Sequence, residues 1–210
     1  MTKLSINVNK IAWLRNARGE NRPNLLETSK ILVDCGVDGL TVHPRPDLRH
    51  ITPDDVYDLS NLCKNSNIEF NIEGNPYSEK AKDYPGFIQL VKEIEPDQCT
   101  LVPDSPDQLT SDHGWQIDGK DHNVLINIIE ELKTDKTRVS LFVDPDIKQI
   151  ENIKSIGLDV NAGHDLDLVN LKPFLDRAPV DEVSIGHALI SDALIDGLDN
   201  VTKKYLDLCK

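Results

Sequence analysis

Four of the six histidines in this 210-residue chain stand at or just past the end of a short apolar run. His43 and His50 follow Gly39–Val42, His164 follows Leu158–Asn161, and His187 follows Glu182–Ile185. Glu73 closes a fourth run, Glu69–Ile72. Histidine and glutamate are the usual acid–base groups near neutral pH. His43, Glu73 and His164 are therefore candidates for proton transfer, provided that the runs are strands curled so that their ends converge. The same side chains, with His187, are also possible metal ligands. A single histidine can instead cap a strand or bond a loop carbonyl, and Glu73 can be the buried partner of an arginine.

A second kind of chemistry is written in the cations. Five of the seven arginines, Arg15, Arg18, Arg22, Arg45 and Arg49, fall in the first 49 residues of a chain whose net charge is −13. Arginine makes forked, charge-assisted bonds to phosphate, so a local cluster suits a small anion; scattered surface ion pairs are the plain alternative. Gly186-His187-Ala188 opens a helix directly after an apolar run. Backbone N–H groups at such a start, aided by the helix dipole, also favour an anion.

Elements must place these groups. The strand candidates are Leu4–Val8, Gly39–Val42, Glu69–Ile72, Gln98–Val102, Arg138–Val143, Leu158–Asn161 and Glu182–Ile185, each short enough to be buried on both faces. Helical stripes lie between them: Leu25 to Cys35 with Gly36 as a stop, Val56–Leu62, Phe87–Ile94, Val124–Leu132, Ile147–Ile153, Leu168–Leu171 and a last one from Leu194 to Leu208. Thr52-Pro53-Asp54-Asp55 combines a capping hydroxyl, a first-turn proline and dipole-favoured acids. Strand–helix alternation predicts a parallel sheet covered by helices in one α/β domain spanning residues 1–210. No GxGxxG or GxxxxGKS follows the first strand, which favours a barrel over a nucleotide-binding open sheet. In either, chemistry sits at the carboxyl ends of the strands, where Asn7, Asn9, Lys10, Arg45, Asp104 and Thr110 also fall.

Composition excludes several classes. No apolar run approaches the ~18–20 residues of a membrane span, and the start lacks a signal-peptide pattern. Four scattered cysteines form no CxxC pair, which suits a reducing cytoplasm. The acidic balance argues against broad nucleic-acid binding.

Taken in order, the strings Asn7-Val8-Asn9-Lys10, Leu14-Arg15-Asn16-Ala17-Arg18-Gly19, Thr41-Val42-His43-Pro44-Arg45-Pro46-Asp47, Phe70-Asn71-Ile72-Glu73, Leu101-Val102-Pro103-Asp104, Val160-Asn161-Ala162-Gly163-His164-Asp165-Leu166 and Ser184-Ile185-Gly186-His187-Ala188 resemble the pyridoxine 5'-phosphate synthase family from first strand to last helix. The resemblance implies a TIM-type barrel and a homo-octamer. It also implies a transferase of vitamin B6 biosynthesis that condenses 1-deoxy-D-xylulose 5-phosphate with 3-amino-2-oxopropyl phosphate, releasing inorganic phosphate and water without metal or organic cofactor. It makes His43 and Glu73 proton acceptors and His164 a proton donor. Arg45, His50 and Thr110 become contacts to the deoxyxylulose phosphate; Asn7, Arg18, Gly186 and His187 become contacts to the aminoacetone phosphate.

The chain departs from the family in three places. Asn9-Lys10 replaces a common Asp-His, leaving Lys10 able to reach a substrate phosphate or hydroxyl. Asp165 replaces a glycine of some members, with its backbone N–H able to make the same contact. The chain also runs from Ile153-Lys154 straight into Ser155-Ile156-Gly157, where the family carries a further strand, loop and helix. That sixth strand bears a glutamate assigned to transition-state stabilisation, and no residue here takes its place. Seven strand–helix units are therefore expected. Two other functions compete: a metal-dependent sugar-phosphate epimerase or aldolase, and a non-catalytic remnant that binds or assembles without turnover.

Overall fold

The computed structural model describes residues 1–105, 107–116, 122–146, 161–178 and 180–210, with the side chains of 122 and 123 left aside. Seven strands, β1 (Lys3–Asn7), β2 (Gly39–Val42), β3 (Glu69–Gly74), β4 (Gln98–Leu101), β5 (Arg138–Leu141), β6 (Ala162–Gly163) and β7 (Glu182–Ile185), form one sheet in the order β5-β4-β3-β2-β1-β7-β6. Every pairing is parallel. The sheet curls, and no ladder joins β5 to β6 among the described residues. The stripe Ile147–Ile153 and all but Asn161 of the strand candidate Leu158–Asn161 lie outside the described residues, and the sixth strand begins just beyond, at Ala162.

Eight helices are described: α1 (Asn9–Asn16), α2 (Leu25–Asp34), α3 (Pro53–Ser66), α4 (Phe87–Ile94), α5 (His122–Leu132), α6 (Leu171–Leu175), α7 (His187–Asp196) and α8 (Leu198–Leu208). The start of α3 is the one its sequence dictates. Thr52 Oγ1 accepts from Asp55 N at 3.3 Å, and Asp55 Oδ2 accepts from Thr52 N at 2.8 Å, a reciprocal cap. Sequence periodicity missed α1, which is too short and polar to show a stripe. It also ran α7 and α8 together; Gly197, at φ +84°, breaks them apart, and Leu194 is left exposed.

The strands correct the expectation of apolar runs. Outward-facing Leu4, Ile6, Leu40, Val42, Phe70, Ile72, Cys99, Leu101, Val183 and Ile185 are buried in the helix-packed core. The alternate, inward-facing positions are polar, and this inner face is arranged in layers. A middle belt crosses five strands: Ser5 Oγ to Thr41 Oγ1 at 2.8 Å, Asn71 Nδ2 to Thr41 Oγ1 at 3.4 Å, Thr100 Oγ1 to Asn71 Oδ1 at 3.0 Å and Thr100 Oγ1 to Ser140 Oγ at 2.7 Å. Each hydroxyl and amide finds its partner across the strands, so polar burial is compensated.

At the amino ends of the strands Glu69 accepts from Lys3 at 3.0 Å and pairs with Arg138 at 3.2 Å, with Glu182 beside it. Gln98 Oε1 accepts from Arg138 Nη2 at 3.1 Å and from Asn161 Nδ2 at 3.3 Å. Asn161, at the end of an expected strand, thus bonds at the amino-end mouth.

Candidate active site

The carboxyl ends of the strands open into a polar mouth. His43 follows β2 directly, and its backbone N donates to Asn9 Oδ1 at 2.9 Å. Asn9 N in turn donates to Asn7 Oδ1 at 3.0 Å. The short helix α1 therefore ties β1 to β2 and brings Lys10 to the same side. Lys10 Nζ stands 4.5 Å from the Trp13 ring centre. Burial and then the nearby Arg45 charge lower the Lys10 pKa.

His43 sits between two carboxylates. Its Nδ1 is 3.9 Å from Glu73 Oε2, and its Nε2 is 3.4 Å from Asp104 Oδ2. Glu73 also accepts from Asn7 Nδ2 at 3.2 Å. Burial pushes the Glu73 carboxyl up, against the field of His43; Asp104 raises it further and His164 opposes. Its partners are thus Asn7 and the histidines, not an arginine. Asp104 pairs with Arg45, whose Nη1 also donates to Gln108 O at 3.2 Å. Burial raises the Asp104 carboxyl, but the His43 hydrogen bond and the His43 and Arg45 charges hold it below its ordinary value.

His50 is the most buried of the site histidines. Its Nδ1 accepts from Ile51 N at 2.9 Å. Burial first, then the charges of His43, Arg45 and Arg49, push its pKa down to about 3. The ring is neutral at physiological pH, and Nε2–H is what it can offer a ligand. Arg15 fixes this loop from behind: it forks onto Asp55 at 2.5 and 2.9 Å and donates to His50 O at 3.1 Å.

Two further groups reach the mouth from loops. Thr110 Oγ1 is 3.4 Å from His164 Nε2, and His164 Nδ1 is 3.3 Å from Asp165 Oδ2. Both His164 and Asp165 adopt left-handed backbone conformations. The loop carrying Thr110 is pinned at its far end. Trp115 N donates to Phe142 O at 2.8 Å, and its indole donates to Leu101 O at 2.9 Å. A side chain on Gly114 would lie 2.3 Å from Val143 Cα, so only glycine fits this approach. Gly186 is constrained less severely: an added Cβ would meet Asn7 Cβ at 2.9 Å. Asn7, Gly186 and His187, the first residue of α7, are thereby neighbours. Arg18 lies away from the His43 cluster, in an open hollow with Leu14, Ala17, Arg22 and Pro23.

Among the described residues no set of three or more His, Cys, Asp or Glu side chains is arranged to hold a metal ion, so the metal reading of His43, Glu73, His164 and His187 gains no donor set. Sequence reasoning noted Asp104 only as a polar residue after β4. Its partners come from β2, two strands away in the sheet, and spacing along the chain does not reveal that.

A curled, all-parallel sheet under helices, with its polar mouth at the carboxyl ends, defines a chain of the TIM-barrel class. Solved structures agree: a phosphoribosylanthranilate isomerase from Thermotoga maritima matches with TM-score 0.61 at 12% identity, covering 100% of this chain and 98% of its own. A tryptophan synthase from Mycobacterium tuberculosis matches with TM-score 0.57 at 13% identity, covering 99% and 92%. At such identities they speak for the fold alone.

The sequence places the chain more narrowly. The family described as "Pyridoxal phosphate biosynthesis protein PdxJ" matches residues 4–160 and 151–210, and the chain belongs to this family. Curated relatives named pyridoxine 5'-phosphate synthase include one from Xanthomonas axonopodis pv. citri, 43% identical over 248 aligned positions covering 100% of this chain and 97% of its own. Another, from Porphyromonas gingivalis, is 42% identical, covering 99% and 98%. The alignment is longer than the 210-residue chain, and the family match divides at 151–160. The relatives therefore carry a segment that this chain lacks, at the junction where the strand count places it. The bonds from Ile153 to Gly157 lie outside the described residues.

Proposed function

We propose that the protein is a pyridoxine 5'-phosphate synthase, condensing 1-deoxy-D-xylulose 5-phosphate with 3-amino-2-oxopropyl phosphate by general acid–base catalysis. The observation that carries this reading is His43 held between Glu73 and Asp104, beside Arg45, in a chain of this family.

Imine formation, dehydration and ring closure need repeated proton transfers. A buried glutamate with a raised pKa can hold and release a proton nearer neutrality than an exposed one. His43 and Glu73 are proposed to take protons and His164 to return one. Arg45, neutral His50 and Thr110 face the deoxyxylulose phosphate, with Lys10 adding positive charge to that side. Asn7, Gly186 and His187 face the aminoacetone phosphate, whose phosphate meets the start of α7, and the Asp165 backbone N–H adds a contact; Arg18, in its separate hollow, is left out of this set. Exposed Leu14, Leu194 and Ile195 offer apolar surface for the homo-octamer.

Incubating the purified chain with both substrates and measuring pyridoxine 5'-phosphate and inorganic phosphate tests the proposal. Formation of both supports it; tight binding of either substrate with no product supports the second reading, a binding remnant, which the missing segment favours.

A further inference from the structure

The mouth contains one buried charged group to which the family resemblance gives no role. Asp104 is 5% exposed. Its place is set from several sides: Pro103 precedes it, Asn75 Nδ2 donates to its carbonyl at 2.7 Å, and its carboxylate meets Arg45 and His43 Nε2. The charged and titratable groups facing this cluster include Glu73 from β3, His43, Arg45, Asp47, Arg49 and His50 from the segment after β2, the Tyr84 hydroxyl from the loop before α4, His164 from beyond β6, and Lys10 from α1.

We propose that Asp104 is a positioning residue that selects the tautomer of His43. An ionised carboxylate can only accept, so it draws the imidazole proton to Nε2 and leaves the Nδ1 lone pair as the ring's base. Nδ1 is the nitrogen that faces Glu73, 3.9 Å from Oε2. The Nδ1 lone pair and the Glu73 carboxyl then look into the same space, where both can take protons. Arg45 neutralises Asp104 without competing for the imidazole, because guanidinium has no acceptor. Without this anchor His43 could carry its proton on Nδ1, and its lone pair would face Asp104 and not the space beside Glu73. The inference rests on the synthase reading for the use of the base, but not for the tautomer itself.

Imidazole nitrogen chemical shifts, followed by NMR across pH in ¹⁵N-histidine protein, distinguish the tautomers without any turnover. We expect neutral His43 in the wild type to carry its proton on Nε2. Asp104→Asn keeps size and hydrogen-bonding capacity but loses the charge. The neutral His43 ring should then lose its preference for Nε2–H, because an amide can donate as well as accept. Asp104→Glu should recover most of that preference. In Asp104→Ala the Nε2–H preference should give way to a mixture. A proton on Nδ1 in the neutral wild-type ring, or an Asp104→Asn protein whose neutral His43 still carries its proton on Nε2 as in the wild type, would overturn the proposal. If the wild type makes no pyridoxine 5'-phosphate, the synthase reading fails while these tautomer spectra still decide the role of Asp104. If it does, kcat in Asp104→Asn should fall about 10²–10⁴-fold, the scale of lost acid–base help.

Discussion

Replacing Glu182 by glutamine should make the protein less sensitive to alkali. Glu182 is 6% exposed at the amino-end mouth of the sheet. Burial first, then the adjoining Glu69 carboxylate, push its pKa up to about 8, against the opposing charges of Arg138 and Lys3. The two carboxyls share one proton, Glu182 donating and Glu69 accepting, so the upper titration belongs to the pair. The sign follows from proton counts. With a reference value of 4.5, the folded state binds more protons than the unfolded chain as pH rises from that value towards 8. Stability therefore falls across this window, by about 1.4 kcal/mol for each pH unit in which the folded pair alone keeps the proton. Between pH 6 and pH 9 about two such units are crossed, giving roughly 3 kcal/mol as an upper figure. Water at the mouth reduces it, and about 1–2 kcal/mol is the working expectation. Glutamine can still donate to Glu69 but has no proton to lose. Urea unfolding of both proteins at pH 6, 7.5 and 9 should show the wild type losing that much more stability than Glu182→Gln. Parallel pH profiles, or a wild type that gains stability over the variant as pH rises, would refute the shared proton.

Arg15→Met should destabilise the fold by about 3 kcal/mol, because it leaves Asp55 half-buried without its cation; the thermal midpoint checks it, and a shift within error would show that the pair is dispensable. Gly114→Ala should lose about 1–3 kcal/mol through overpacking against the Val143 backbone, read by denaturant midpoint; an unchanged midpoint would mean that the loop simply moves aside. His43→Ala and Glu73→Ala should each lower turnover by about two to four orders of magnitude with unfolding midpoints near wild type, and full activity in either would remove that residue from the chemistry.

Much of this architecture was legible in the chain. Strand–helix alternation gave the parallel sheet, and Thr52 with Asp55 gave the start of α3, because both are local signals. The polar inner face was legible but misread: Lys3, Ser5 and Asn7, or Glu69, Asn71 and Glu73, alternate strictly, yet a search for apolar runs counts only the outward residues between them. The break at Gly197 was hidden because the stripe continues across it. In the mouth, residue types at strand ends pointed to His43 and Glu73. The contacts Glu73 to Asn7 and Asp104 to His43 span separate strands, and their distances depend on how far the sheet curls. Arg18 shows the limit from the other side: its type suggested an anion, but its place in the hollow of α1 depends on the path of the loop that follows.

The strand order bears on how the protein is made. β1 pairs with β2 on one side and with β7 on the other, so Lys3 waits for Glu182. At about 5–20 residues per second on the ribosome, the second edge of β1 stays uncovered for roughly ten to thirty seconds. Through that interval β1, β2, β3, β4 and β5 can assemble in register while their far edge remains a template for any other extended chain. An unfinished apolar barrel would also show a greasy concave face to its neighbours. Here that face carries Ser5, Thr41, Asn71, Thr100 and Ser140, already hydrogen-bonded to one another. The side of the nascent sheet that closes last is thus wettable, and the same polar belt that fills the finished interior keeps the half-made molecule from sticking to its copies.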